Sequence, residues 1–104
     1  MVANLTHDRW VWVQPSPAEN IDGSPERAAW DADVADIAAY VGVGHYVECL
    51  TALQAGNDGS PNDLQDVADN IVPRSLRSDT IHETDYGLSI RTRVVRDFIL
   101  ARGW

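Results

Sequence analysis

The chain has 104 residues, of which 44 % are hydrophobic and 23 % charged, as expected of one globular domain over residues 1–104. Sixteen acidic residues against eight arginines give a net charge of -8, which argues against nonspecific DNA binding and against docking on anionic membranes. A single cysteine excludes an internal disulfide, and no apolar run is long enough to span a membrane.

The charge is distributed unevenly along the chain. Residues 1–73 carry twelve acids and two arginines, a balance of -10, whereas residues 74–104 carry six arginines and four acids, a balance of +2. Such asymmetry is typical of a charged binding surface or of ion pairs between the two parts. The first residues have no basic region and no apolar stretch, so we expect no signal peptide and a cytoplasmic location.

The first predicted element is a strand over residues 9–13, where β-forming residues precede Pro15. Tryptophans and valines alternate there, so both faces are apolar and need cover. The strand also needs a backbone partner, for which residues 80–86 are the candidate within the chain. A strand left unpaired would allow a homodimer as well as a monomer.

Three helices are predicted next. Ser24-Pro25 and Ser60-Pro61 are start signals, with serine as the N-cap and proline at the first helical position. They predict a helix over residues 25–41 and another that begins at Pro61 and stops at Pro73, with a helix over 44–55 between them. Both signals follow Asp-Gly, a weak internal repeat that shared cap chemistry explains as well as duplication does.

Apolar stripes on these helices predict the core. After a turn of helix within residues 75–79, a last helix from about Ser89 to Arg102 is favoured over a strand because the segment is long for a strand. The predicted core residues are Trp30, Val34, Ile37, Val41, Tyr46, Leu50, Leu53, Leu64, Val67, Ile71, Ile90, Val94 and Phe98. The fold class is therefore α+β: a small, mainly helical single domain with three or four helices and a short N-terminal strand.

Residues 36–50 resemble a helix-turn-helix in outline, because Ala38 and Gly42 have the spacing of that motif's alanine and turn glycine. Glu48 and Thr51 stand where the motif has apolar residues, and residues 44–55 contain no Arg or Lys to contact bases or phosphates. A DNA-binding regulator is thus the alternative function, and its phosphate contacts would come from Arg74, Arg77, Arg91, Arg93 and Arg96.

Motifs that carry chemistry are scarce. His45 and Cys49 share a predicted helix face, but no second close pair of ligands accompanies them. Cys49 lies within a predicted helix rather than at the N-terminus that would activate a thiol, and no phosphate-binding loop or hydrolase motif is present. We predict a non-enzymatic protein without metal or cofactor.

The acidic residues carry the leading functional prediction. Asp63, Asp66 and Asp69 recur at every third position, opposite the apolar stripe of their helix, so we expect them to be exposed. An ordered array of carboxylates imitates a nucleic-acid backbone and attracts the basic groove of a nucleic-acid-binding protein. Further acids flank the first helix, and the last residue is a candidate aromatic anchor. The predicted partner-binding residues are Asp63, Asp66, Asp69, Asp31, Asp33, Asp36 and Trp104.

The sequence therefore predicts an acidic protein-binding module, a small prokaryotic or phage regulator or inhibitor that docks on a larger basic protein. Direct binding to nucleic acid belongs only to the alternative above. A structural subunit of a larger assembly is a further alternative.

Overall fold

The computed structural model describes residues 7–17, 22–79 and 82–104. Within these ranges the chain forms four α-helices and a parallel pair of short strands. In chain order the elements are β1 (Trp12–Val13), α1 (Pro25–Val41), β2 (Tyr46–Val47), α2 (Leu50–Ala55), α3 (Pro61–Ala68), one turn of 3-10 helix (Arg74–Leu76) and α4 (Asp85–Ala101). The predicted fold class, a small and mainly helical domain with a short N-terminal strand, is confirmed.

The two Asp-Gly-Ser-Pro segments form the same cap at the starts of α1 and α3. The Ser24 hydroxyl accepts a hydrogen bond from the Arg27 amide at 3.1 Å, and the Ser60 hydroxyl accepts one from the Asp63 amide at 3.2 Å. The glycine before each serine has a φ near +80°, a conformation that glycine adopts without strain. The predicted helix starts are therefore confirmed.

The predicted helix over residues 44–55 is wrong in its first half. Residues 46 and 47 form β2, which runs parallel to β1 with Trp12 opposite Tyr46 and Val13 opposite Val47. The Trp12 amide donates to the His45 carbonyl at 2.7 Å, and the Gln14 amide donates to the Val47 carbonyl at 2.9 Å. The backbone of β1 needs these partners, and that requirement outweighs the helical spacing of the apolar residues.

The Gln14 side chain helps to fix where α2 begins. Its Oε1 accepts hydrogen bonds from the Cys49 amide at 3.0 Å and the Leu50 amide at 3.1 Å, and the residue is only 7 % exposed. Free amides at a helix start need acceptors, and here one comes from the end of β1.

The helix-turn-helix resemblance does not correspond to the structure. Gly42 ends α1 with a φ of +84°, and β2 then separates α1 from α2. The motif requires two helices joined by a tight turn, so residues 36–50 do not form it.

Residues 82–86 do not pair with β1, so for the described part of that segment the prediction is wrong. Thr80 and Ile81 lie outside the described residues. Glu83 forms an isolated antiparallel bridge with Arg77. Tyr86 already belongs to α4, which is capped by the Thr84 hydroxyl and starts four residues before the predicted Ser89.

The core lies between α2, α4 and the 3-10 turn. Its buried residues are Val47, Cys49, Leu50, Leu53, Val72, Leu76 and Ile90. Of the other predicted core residues, Val34, Val41 and Ile71 are buried. Trp30, Tyr46, Val67, Val94 and Phe98 are half-buried. Leu64 and Ile37 are exposed, at 53 % and 37 %, so their assignment to the core is wrong.

Gly87 marks a close approach between α4 and the 3-10 turn. A Cβ atom at this position would lie 2.6 Å from the Leu76 carbonyl oxygen and 3.1 Å from Glu83 Cβ. A backbone oxygen cannot move aside as a side-chain end can, so only glycine fits.

We expect Gly87→Ala to lower the free energy of unfolding by about 1–3 kcal/mol, because the methyl group overpacks this contact. A glycine-to-alanine change inside an unconstrained helix raises stability by about 0.5–1 kcal/mol, so the sign is diagnostic. Urea unfolding of the Gly87→Ala variant measures this change in the free energy of unfolding. Thr92→Ala, on the exposed side of α4, is the control. A Gly87→Ala protein as stable as the wild type would contradict the close approach.

Candidate functional site

Asp63, predicted to be exposed, is fully buried at 0 % exposure. Its carboxylate accepts hydrogen bonds from the Asp58 amide at 2.9 Å, the Ser75 amide at 3.0 Å and the Ser75 hydroxyl. Burial alone would raise the pKa of Asp63, but these donors stabilise the charged form more strongly and the pKa is lowered. Asp63 therefore joins the start of α3 to the 3-10 turn and is not part of the surface.

Asp66 is buried in the same way, at 1 % exposure, and the prediction that it is exposed is wrong. Arg74 donates to it from its amide at 2.7 Å, from Nε at 2.9 Å and from Nη2 at 2.7 Å. Arg77 Nη2 adds a contact at 3.2 Å. The hydrogen bonds from Arg74 are the main reason why the pKa of Asp66 is lowered despite its burial.

The sequence contained a signal for the burial of Asp63 and Asp66, namely their spacing relative to residues 74–77. Two aspartates three positions apart on α3 face residues 74–77, where Ser75 binds Asp63 and the arginines 74 and 77 bind Asp66. The apolar pattern of α3 instead favoured Leu64 and Val67 as inward residues. The chain buries the aspartates because every oxygen finds donors in the 3-10 turn, and a buried charge needs such partners.

Most of the arginines assigned to phosphate contacts in the DNA-binding alternative form ion pairs within the chain. Arg74 and Arg77 pair with Asp66, and Arg91 is engaged as described below. Arg93 and Arg96 lie on the exposed side of α4, where Arg96 pairs with Asp97 at 2.8 Å. Of the five arginines, all but Arg93 have an ion-pair partner among the described residues.

Arg91 ties the segment after β1 to α4. Its Nη1 donates to the Gln14 carbonyl at 2.6 Å, and Nε donates to Glu83 at 3.0 Å. Nη2 donates to Glu83 at 2.5 Å and to the Ser16 hydroxyl, which donates to Glu83 in turn. Burial raises the pKa of Glu83, but hydrogen bonds from Arg91 and Ser16 outweigh it and the pKa is lowered.

A cleft of about 400 Å³ is lined by Ser16, Glu83 and Arg91 together with Pro15, His82 and Leu88. A hydroxyl nucleophile needs a neighbouring base, but the lowered pKa of Glu83 makes it a weak base for Ser16. His82 hydrogen-bonds Asp79 through Nδ1 at 2.8 Å. The polar groups of the cleft therefore bind one another and hold two chain segments together.

Cys49 and His45 do not form a reactive or ligating pair. Burial is the main cause that raises the pKa of the Cys49 thiol, which opposes formation of a thiolate. The His45 ring stacks on Trp10 at 3.8 Å, and its Nδ1 lies 2.8 Å from the Trp10 carbonyl. In residues 7–17, 22–79 and 82–104, no three His, Cys, Asp or Glu side chains stand together as metal ligands.

Of the predicted binding acids, Asp31, Asp33 and Asp36 are exposed, and all three lie on α1. Arg27, Val34 and Val41 form its buried face, and Arg27 Nη1 donates to the Asn70 carbonyl at 2.5 Å. Asp31 stands close to that face and pairs with Arg27 Nε at 2.9 Å. Sequence reasoning did not assign this role to Arg27, because Asn70 is far away in the chain.

A second side of α1 combines acids with apolar side chains. Asp33, Asp36, Ile37 and Tyr40, which we call the α1 patch, are neighbours at three- and four-residue spacing on one helix surface. Both acids are exposed, and the exposed fractions of Ile37 and Tyr40 are 37 % and 76 %. Val43, just beyond the helix, is exposed as well. This is the candidate interaction site of the described chain.

The remaining predicted site residues lie elsewhere. Asp69 is half-buried at the end of α3 and accepts a hydrogen bond from Gln65 at 3.1 Å. Trp104 is half-buried, with its ring 5.8 Å from that of His45. Neither belongs to the α1 patch, so the structure does not bring all seven predicted residues together.

Compared with protein-family models, with curated proteins and with solved structures, the chain gives no match. None of the helices in the described residues has the length and apolar character needed to cross a membrane.

We expect Asp66→Asn to lower the free energy of unfolding by about 3–5 kcal/mol, because it leaves the largely buried Arg77 side chain without its charged partner. Asp33→Asn is the matched control, since the same change at an exposed position costs less than about 0.5 kcal/mol. Equal stability of the two variants in urea unfolding would contradict the buried ion cluster.

The lowered pKa values of Asp63, Asp66 and Glu83 also predict acid sensitivity. A carboxylate whose pKa is lower in the folded state stabilises the fold above its unfolded pKa, about 4, and this contribution is lost as the pH falls through the folded value. We expect the free energy of unfolding to be level above about pH 5 and to fall steadily below about pH 4. Urea unfolding from pH 7 to pH 2 measures this, and a profile that stays level below pH 4 would contradict it.

Proposed function

We propose that this protein is a binding module that docks on a larger basic protein through the α1 patch. The observation that carries the proposal is the exposure of α1, a helix of 17 residues that buries only Arg27, Val34 and Val41. A helix with so few buried residues has surface left for another protein.

The apolar part of the α1 patch supplies the reason to bind. Tyr40 and Ile37 are adjacent on the helix, and burying an exposed aromatic and a branched aliphatic side chain in a partner's groove removes apolar surface from water. Tyrosine is among the residues that dominate the binding energy of protein interfaces.

The acidic part of the patch defines the partner's charge. Asp33 and Asp36 flank the apolar pair and have no arginine beside them on this side of the helix, whereas Asp31 has Arg27. Carboxylates at the rim of an apolar contact favour a groove edged by Lys or Arg and accelerate association with it. The net charge of -8 also attracts a basic partner over longer distances.

A basic groove of this kind is also what nucleic-acid-binding proteins present to phosphates. We therefore expect the module to act as a regulator or inhibitor that competes with nucleic acid for its partner. The proposed binding residues keep Asp33 and Asp36 from the sequence prediction and leave out Asp63 and Asp66, because these two are buried.

The experiment has two stages. A tagged pull-down with nuclease treatment identifies a candidate partner, whose affinity for the purified wild type is then measured by surface plasmon resonance. We expect Tyr40→Ala to weaken binding at least tenfold, because it truncates the central aromatic residue. Asp33→Asn combined with Asp36→Asn is expected to slow association and to reduce its salt dependence.

The matched control is Asp85→Asn combined with Asp97→Asn, which changes the net charge equally at exposed positions on α4, away from the patch. If the control slows association as much as the patch variant does, the effect is one of net charge and the patch has no special role. Wild-type affinity of Tyr40→Ala for every captured partner would overturn the proposal.

A further inference from the structure

The outer edge of β1 carries backbone groups without partners. The amides of Trp12 and Gln14 donate to β2, and the Trp10 carbonyl faces His45. Because backbone groups alternate along a strand, those of Val11 and Val13 point away from β2. None of the hydrogen bonds within the described ranges 7–17, 22–79 and 82–104 engages them.

This edge is suited to a second strand. A two-stranded sheet is marginally stable on its own, and an open edge is a template for pairing. The valine side chains of residues 11 and 13 pack on the core, which holds the strand in place while its outer edge stays open. A partner strand would thus meet a preformed ladder.

The sequence of β1 and its flanks is complementary to itself in the antiparallel direction. With Val11 opposite Val11 of a second copy, Trp10 stands opposite Trp12 of the other chain, at positions without ladder hydrogen bonds where side chains approach most closely. Aromatic pairs across strands are among the stabilising ones. Within each chain Trp10 already stacks on His45 and Trp12 on Tyr46.

Pro15 limits the length of this pairing. Residue 15 is the next outward-facing position after Val13, and proline has no amide to donate there. In the Val11-centred register the two Val11 residues exchange hydrogen bonds, and the Val13 amide donates to the Arg9 carbonyl of the other copy. The Arg9 amide donates to His7 Nδ1 at 3.0 Å within its own chain and must leave that contact to complete the second pair.

We infer that the protein forms a homodimer in which two β1 strands pair antiparallel about Val11 to give one four-stranded sheet. The aromatic side chains of both copies then lie in one row across a face of that sheet. Because each copy carries a charge of -8, the two repel each other at low salt. Added salt therefore strengthens this contact, whereas it weakens docking of the α1 patch on a basic partner.

Sedimentation equilibrium of the full chain over a wide concentration range tests the dimer. We expect a concentration-dependent mass that approaches twice 11.5 kDa, with a dissociation constant that falls as salt is added. Val11→Pro removes the outward amide and is expected to raise that constant at least tenfold. Val11→Ala, which also shortens the side chain but keeps the amide, is the matched control and should change it much less.

Hydrogen exchange of the wild-type protein makes the test independent of whether Val11→Pro folds. The Val11 and Val13 amides are expected to exchange at least tenfold more slowly at dimer-forming concentration than in the monomer. The Trp12 and Gln14 amides, which are bonded within the chain, should be protected in both. A chain that stays monomeric, or a dimer in which the Val11 and Val13 amides exchange as in the monomer, would overturn the inference.

Discussion

The burial of two carboxylates, Asp63 and Asp66, is the constraint on which the rest of the structure depends. Their donors all come from the loop before α3 or from residues 74–77, so this part of the chain must fold back onto α3. That return places Leu76 in the core, and its carbonyl then receives the Thr84 amide at 2.8 Å. Because Gly87 packs on the same carbonyl, the position of α4 follows from the buried ion cluster.

Arg91 plays the corresponding part at the other end of the core. It holds the Gln14 carbonyl against α4, while the Gln14 side chain accepts the amides that open α2. β1 is thereby tied to two helices although it contributes only two residues to the sheet. In both places an arginine stabilises a turn of irregular backbone by satisfying polar groups that apolar packing would leave without partners.

These internal contacts determine which charges remain available on the surface. The cluster around Asp66 consumes charges of both signs, so neither the acids of α3 nor the arginines that follow them form a free electrostatic surface. What remains is the α1 patch, where acids border apolar side chains on a helix that buries only three of its residues. The open edge of β1 is a different kind of surface, since its complementarity lies in backbone groups and indole rings.

The sequence by itself determined the features that depend on neighbouring residues. The caps at Ser24 and Ser60 and the helices that follow them are local, because a serine hydroxyl and the amide three residues later need no tertiary partner. The helical character of the last segment was likewise predictable from its length. Much of the core followed from periodicity, as Val34, Leu53 and Ile90 illustrate.

Only the tertiary structure decided the rest. Whether Asp63 faces water or the core depends on donors from a turn twelve residues later, and helix periodicity treats every aspartate as polar. The pairing of β1 with residues 46 and 47 likewise arises from a backbone requirement that a helical stripe does not reveal. The α1 patch is exposed because α2 and α4 close the core without it, a fact set by how the elements pack and not by the composition of α1.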